Sequence, residues 1–164
     1  MSSATGKSRA AILAGAKIVV AEVGSYESNM MDIAARAQVS RATVYNHFVD
    51  KEEMMNTLLE SEIDRLAGLA KAAPNKAAAL AVLSREISSD PALRTMVRTD
   101  PTDIARFVTV SESAHWAHIA RELSAIFGAT NGGLVLRWLL GQIGAPLTAD
   151  ESARQAASLA AALG

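Results

Sequence analysis

The feature that most constrains this chain is a cluster of helix stops and starts between Gly24 and Glu53. Upstream of it, Ile12, Ala16, Val19 and Val23 recur at spacings of three and four, the repeat of a helix with one apolar face. Gly24 stands just past the last of them, where a helix stop is expected. Asn29 with Asp32 forms a capping-box-like pair that starts a second, short helix, with Met30, Ile33, Ala34 and Ala37 on its apolar face. After the brief break Gln38-Val39-Ser40, Ser40 caps a third helix whose inward positions are Val44 and Phe48. Asp50 with Glu53 starts a fourth, and its stripe Met55, Leu58, Leu59, Ile63, Leu66 and Ala70 runs on to Ala73 before Pro74 stops it.

Two short helices crossing at a small residue, with a polar outer face on the second, read as a helix-turn-helix over Ser28–Lys51 that docks on DNA. Ala34 is the crossing residue, Ile33, Ala37, Val39 and Val44 pack the crossing, and Phe48 closes its far end. The candidate DNA-facing residues are Ser28, Arg41, Ala42, Thr43, Tyr45, Asn46, His47 and Lys51. Arg41 has the chemistry to donate two bonds to guanine O6 and N7, and Ala42 to meet a thymine methyl. Thr43, Tyr45 and His47 suit phosphate anchoring, with Tyr45 also able to touch a base edge. Lys51, in the first turn of the next helix, stands where free backbone N–H groups and a cation together would hold a phosphate.

The run Ile12-Leu13, Ala16, Glu22 and Gly24, then Asp32-Ile33-Ala34, then Val39-Ser40, Thr43-Val44-Tyr45, His47-Phe48 and Lys51-Glu52 resembles the N-terminal domain of the TetR family of bacterial regulators. The resemblance spans roughly residues 8–56. It implies phosphate and base contacts at Thr43, Tyr45, His47 and Lys51, with Arg41 in a base-reading position. It also implies a C-terminal helical domain that binds a small effector and dimerises through its last two helices. One departure stands in the turn, where the family usually has glycine and this chain has Gln38, which takes the left-handed conformation only with strain.

Composition agrees with an all-α fold: half the residues are hydrophobic, only 4% are aromatic, there are 4 prolines, and no β-branched alternating run stands out. The absence of cysteine rules out disulfides, thiolate metal sites and a cysteine nucleophile, and fits a cytoplasmic protein. The apolar stretch Ala10–Val23 is interrupted by Lys17 and Glu22, so it is not read as a signal peptide. No uninterrupted apolar run reaches the roughly 20 residues of a membrane span. Net charge is −1, and residues 1–51 are only slightly basic, so DNA binding rests on arrangement rather than bulk charge.

The expected organisation is an N-terminal three-helix helix-turn-helix domain (1–56) followed by a helical effector-binding and dimerisation domain (57–164). Asp90-Pro91 and Asp100-Pro101 each place a capping acid before a proline at the first helical position. Gly128–Gly133 reads as a loop, Leu134–Gly144 as a helix apolar around much of its circumference, and Thr148 with Glu151 starts the last helix. The expected dimer seam takes Val135, Trp138 and Leu139 from one helix and Ala153, Ala156, Ala157 and Ala160 from the other, whose small residues permit close approach. Met96, Phe107, Val110 and Trp116 are bulky, adaptable candidates for lining a site for a small apolar or aromatic effector, or for plain core. His115 and His118, with Glu112 and Glu122 one turn away, have a spacing shared by metal ligands and by exposed amphipathic faces; the second reading is taken, with no cofactor. No catalytic pair or nucleophile set is evident, so no enzymatic activity is expected. What the resemblance to the TetR family implies is a homodimeric repressor released from a pseudo-palindromic operator by its effector. The alternative is a ligand-independent DNA-binding regulator whose C-terminal domain only dimerises or recruits a partner.

Overall fold

The computed structural model describes residues 2–109 and 113–164 and is all-helical over them. In chain order the helices are α1 (Ser2–Glu27), α2 (Met30–Arg36), α3 (Arg41–His47), α4 (Lys51–Lys71), α5 (Lys76–Ser89), α6 (Pro91–Thr99), α7 (Pro101–Thr109), α8 (Ala114–Phe127), α9 (Ala129–Gly144) and α10 (Ala149–Leu163). They gather into two compact units that are not contiguous in sequence. The first is Met1–Ser61 with Pro91–Ile104, and the second is Glu62–Asp90 with Ala105–Gly164. Among the described residues no single helix is long and apolar enough to cross a membrane.

The first unit is built on the periodic positions of α1. Ile12, Ala16 and Val19 are buried against Met30, Ile33 and Ala34 of α2, Val44 of α3, and Phe48. From α4 the fully buried side chain is Met54, with Met55 and Leu58 packed against the core less completely, so the stripe read from the sequence starts one residue late. A fully buried apolar side chain of this size contributes about 1.5–3 kcal/mol, which short helices such as α2 and α3 cannot obtain alone. The caps fall where expected. Asn29 Oδ1 accepts from the backbone N–H of Met31 and Asp32, and Ser40 Oγ accepts from that of Thr43. Asp50 Oδ1 accepts from Glu53 N–H.

Helix α6 also belongs to this unit and packs along α1. Thr95 Oγ1 donates to the Ala21 carbonyl at 2.7 Å, one turn before α1 breaks. Both prolines do begin helices, at Pro91 and Pro101. The carboxylate of Asp100, however, turns away from its own helix towards α1, accepting from Ser25.

The core of the second unit joins Ala70, Ala79, Leu80, Leu83, Leu123, Phe127, Val135, Leu139 and Ala156. Between α5, α9 and α10 lies a buried polar network. Ser84 Oγ is 2.7 Å from Gln142 Oε1 and 2.8 Å from Ser152 Oγ. Ser88 Oγ donates to the same Gln142 oxygen and accepts from Leu147 N–H. Each group has a partner, which removes the penalty of burying it and fixes the register of the three helices. Residues 129–133, read from the sequence as loop, are the first turn and a half of α9. Glycine is needed there for close approach, because a Cβ at Gly132 would lie 3.0 Å from the Ser124 backbone nitrogen of α8. At the end of the chain Thr148 and Glu151 form the full reciprocal capping box of α10.

Candidate nucleic-acid interface

Three features hold α3: Ser40 caps its start, Val44 and Phe48 anchor it inward, and the buried Ala34 of α2 shares their core. The turn that joins α2 to α3 contains Gln38 at φ 55, the one non-glycine residue with positive φ among the described residues. The left-handed turn is therefore kept without glycine, and its strain is held by Val39 N–H donating to the Ala34 carbonyl at 3.0 Å.

With that anchoring, α3 presents Arg41, Ala42, Tyr45 and Asn46 to solvent, while Thr43 and His47 are half-buried. Tyr45 is 50% exposed, a large share for an aromatic residue inside a helix. The Thr43 hydroxyl lies 2.8 Å from Ser40 Oγ, so it also steadies the cap. Behind the helix, the Arg9 guanidinium of α1 stands 5.1 Å from the centroid of the buried Phe48 ring, a cation–π distance. Arg36 pairs with Glu22 at 2.7 Å in an exposed ion pair.

Two residues expected to face DNA have other work. Ser28 is 3% exposed, and its hydroxyl donates to the Ser25 carbonyl at 2.6 Å. Lys51 Nζ donates to three carbonyl oxygens at the end of α1 and the start of the following loop: Ser25 at 3.1 Å, Tyr26 at 2.9 Å and Ser28 at 3.0 Å. An ammonium has three protons, and all three are used. The sequence signals a lysine at a helix start; it does not signal that the carbonyls of α1 come within reach.

In the second unit, Phe107 and Trp116 are brought together: their rings stack with centroids 5.3 Å apart, and Trp116 Nε1 donates to the Phe107 carbonyl at 2.9 Å. Met96 belongs to the first unit, and Val110 lies outside the described residues. Of the residues offered for a dimer seam, Val135 and Ala156 are fully buried in the protomer and Leu139 is 6% exposed. Their side chains fill the unit's own core, because α9 buries one face only, and they have no surface left for a partner. Ala153 and Ala157 are exposed; Trp138, whose Nε1 donates to Gln155 Oε1, and Ala160 are half-buried.

His118 Nε2 stands 3.0 Å from Asp64 Oδ1, and Lys71 Nζ 2.5 Å from Glu122 Oε2. The Lys71 bond holds the Glu122 carboxyl below the ordinary glutamate range, helped by the charges of Lys71, His118 and Arg121 and opposed by partial desolvation. Glu112 lies outside the described residues, and among the described residues no group of His, Asp or Glu is arranged to hold a metal ion.

Comparison with known proteins agrees with this geometry. Residues 12–58 match the family described as "Bacterial regulatory proteins, tetR family". The whole chain is similar in fold to Salmonella enterica GusR, at 20% identity and a TM-score of 0.68, with 95% of this chain and 93% of that one covered. It is similar to AlkX, a TetR family repressor from Dietzia sp. strain DQ12-45-1b, at 18% identity and a TM-score of 0.63, with 94% of each chain covered. A regulator from Streptomyces coelicolor A3(2), SCO7518, aligns at 20% identity and a TM-score of 0.57, covering 94% of this chain and 98% of that one. Comparison with curated proteins finds no match. Residues 12–58, folded as the capped helix-turn-helix described above, match the N-terminal domain of the TetR family, and the likeness of the rest of the chain to these regulators is one of fold.

Proposed function

We propose that this protein binds a pseudo-palindromic DNA operator as a homodimer, represses transcription there, and is released by a small apolar or aromatic effector. The observation that carries the reading is α3: capped by Ser40, anchored by Val44 and Phe48, and presenting Arg41, Ala42, Tyr45 and Asn46 outward. Arg41 reads a guanine, Ala42 meets a thymine methyl, and Thr43, Tyr45, Asn46 and His47 set the helix on the phosphates and base edges of one major groove. Dimerisation gives two such helices for two half-sites. Exposed Ala153 and Ala157 on α10, and Leu134 on α9, 51% exposed, support a partner on those helices.

The DNA-reading role belongs to residues 1–56 and the sensing and dimerising role to the region 57–164, from which α6 is drawn into the first unit. The stacked Phe107 and Trp116 support an apolar or aromatic effector. The effector acts by favouring a state in which the two reading helices no longer match successive major grooves. No catalytic step is part of this function, and the protein works in the cytoplasm.

Genome-wide mapping of bound sites tests the DNA reading: enrichment of one inverted repeat upstream of genes supports it, and occupancy without any shared sequence overturns it. Thermal unfolding against a metabolite panel tests the effector reading. A ligand raises the midpoint by mass action, whereas a flat response across the panel returns the ligand-independent alternative.

A further inference from the structure

Helix α1 breaks at Gly24, whose φ 87 and ψ 171 detach a last helical turn from the body of the helix. That turn has a new N-terminus, with the N–H groups of Ser25 and Tyr26 lacking intrahelical partners. An ordinary helix start is capped by the side chain just before it, and Gly24 has none. The missing cap comes from Asp100, at the junction of α6 and α7 and 9% exposed. Its Oδ2 accepts from Ser25 N–H at 2.9 Å, from the Ser25 hydroxyl at 3.2 Å and from Tyr26 N–H at 3.4 Å. The two positions are complementary: a Cβ on Gly24 would lie 2.6 Å from the same carboxylate oxygen and collide with the Thr99 hydroxyl.

The far side of this turn is the seat of Lys51. Ser25 offers its N–H and hydroxyl to Asp100, and its carbonyl to Lys51 Nζ and to the hydroxyl of Ser28. The Tyr26 peptide groups are divided in the same way, N–H to Asp100 and carbonyl to Lys51. One short stretch of backbone therefore transmits the position of Asp100 to the first residue of α4, three residues beyond the last residue of α3 plus its cap. Thr95, bonded to the Ala21 carbonyl, holds α6 in place beside it.

We propose that Asp100 is a positioning residue for DNA recognition: by capping the detached turn of α1 from a distant part of the chain, it shapes the carbonyl site that seats Lys51 and so fixes the start of α4 behind the reading helix. The proposal rests on the reading of α3 as the DNA-facing helix. Asp100 touches no DNA and acts through Ser25, Tyr26 and Lys51.

The test uses the full chain, a fluorescent duplex selected by the parent protein from a random-sequence pool, and the NMR signal of the Lys51 ammonium. Asp100→Ala and Gly24→Ala should each weaken binding to that duplex by about tenfold or more, the scale of a lost charge-assisted hydrogen bond. The emission of Trp116 and Trp138 should stay unchanged, because both lie in the second unit. Asp100→Asn keeps an acceptor suited to capping and should restore binding to near the parent level. In the two alanine variants the Lys51 ammonium protons should exchange faster with water. Parent-like affinity and an unmoved Lys51 signal in Asp100→Ala would overturn the proposal, as would an Asp100→Asn variant no better than the alanine. Should Asp100→Ala lose helical signal, Ser25→Ala, which removes only the hydroxyl bond to Asp100, carries the test: the Lys51 signal moves if the relay is right and stays if it is wrong. A parent that enriches no duplex refutes the DNA reading instead, and the Lys51 signal still decides the relay.

Discussion

The Lys51 ammonium donates to the Tyr26 carbonyl oxygen at 2.9 Å, tying the first residue of α4 to the last turn of α1. The same ammonium reaches the carbonyls of Ser25 and Ser28. A residue whose place in the sequence suggests a phosphate anchor is thus a tie across the DNA-reading unit. Its cation sits at the C-terminal end of α1, where the helix dipole favours positive charge.

Lys51→Met should therefore cost stability before it costs DNA contacts. Hydrogen bonds to a charged group contribute about 1.5–3 kcal/mol, and three carbonyls lose their donor at once. Hydrogen exchange should show faster opening of first-unit amides by that order. Lys51→Arg should recover only part of the loss, since a planar guanidinium does not fit a compact three-carbonyl seat. A Lys51→Met protein with unchanged protection would show that the tie contributes nothing.

Tyr45→Ala should weaken binding to all duplexes and lower the log–log salt slope by about one unit if its contact is to phosphate. Arg41→Ala should instead relax sequence preference at one position in each half-site, by about 1–3 kcal/mol of discrimination. Both side chains are exposed, so the helical content and melting midpoint should hold. Anisotropy titrations at several salt concentrations, on matched and single-substituted duplexes, separate the two outcomes.

Gln38→Gly should stabilise the first unit. The φ of 55 costs a non-glycine residue about 1–2 kcal/mol, and the added freedom of glycine in the unfolded chain offsets about 0.4–1 kcal/mol of the relief. A modest rise in the denaturation midpoint is expected, read by hydrogen exchange or chemical unfolding. A fall would mean that Gln38 makes a compensating contact worth more than the strain.

Acid should weaken the link between α4 and α8. Lys71 holds the Glu122 carboxyl below its ordinary value, so folding favours the ionised form. The contribution is complete above the unfolded glutamate value of about 4.3 and is lost as pH falls through the lower folded value. Glu122→Gln should flatten this part of the stability–pH curve below the carboxylate range and leave neutral-pH stability little changed, because the Lys71 side chain is largely exposed. An identical acid limb in parent and variant would remove Glu122 from the acid response.

Much of the reading unit was legible because its signals are local. Asn29, Ser40 and Asp50 cap through backbone groups two or three residues away, and Val44 and Phe48 are buried by the same 3.6-residue period that identifies them. The misreadings share a cause. Gly132 looks like a loop residue until Ser124 of α8 is against it, and Val135 and Ala156 look like partner surface until α5 covers them. Each depends on a neighbour far away in the chain.

Legible in the sequence were the helix boundaries around the reading helix and an outward set of Arg41, Ala42, Thr43, Tyr45, Asn46 and His47, since propensity, capping and periodicity act over a few residues; folding then half-buries Thr43 and His47. What Lys51, Ser28 and Asp100 do depends on partners that folding alone supplies. Their partners are carbonyls and amides, which every residue carries alike, so no residue type in the sequence marks them, and only folding brings them within 3.4 Å.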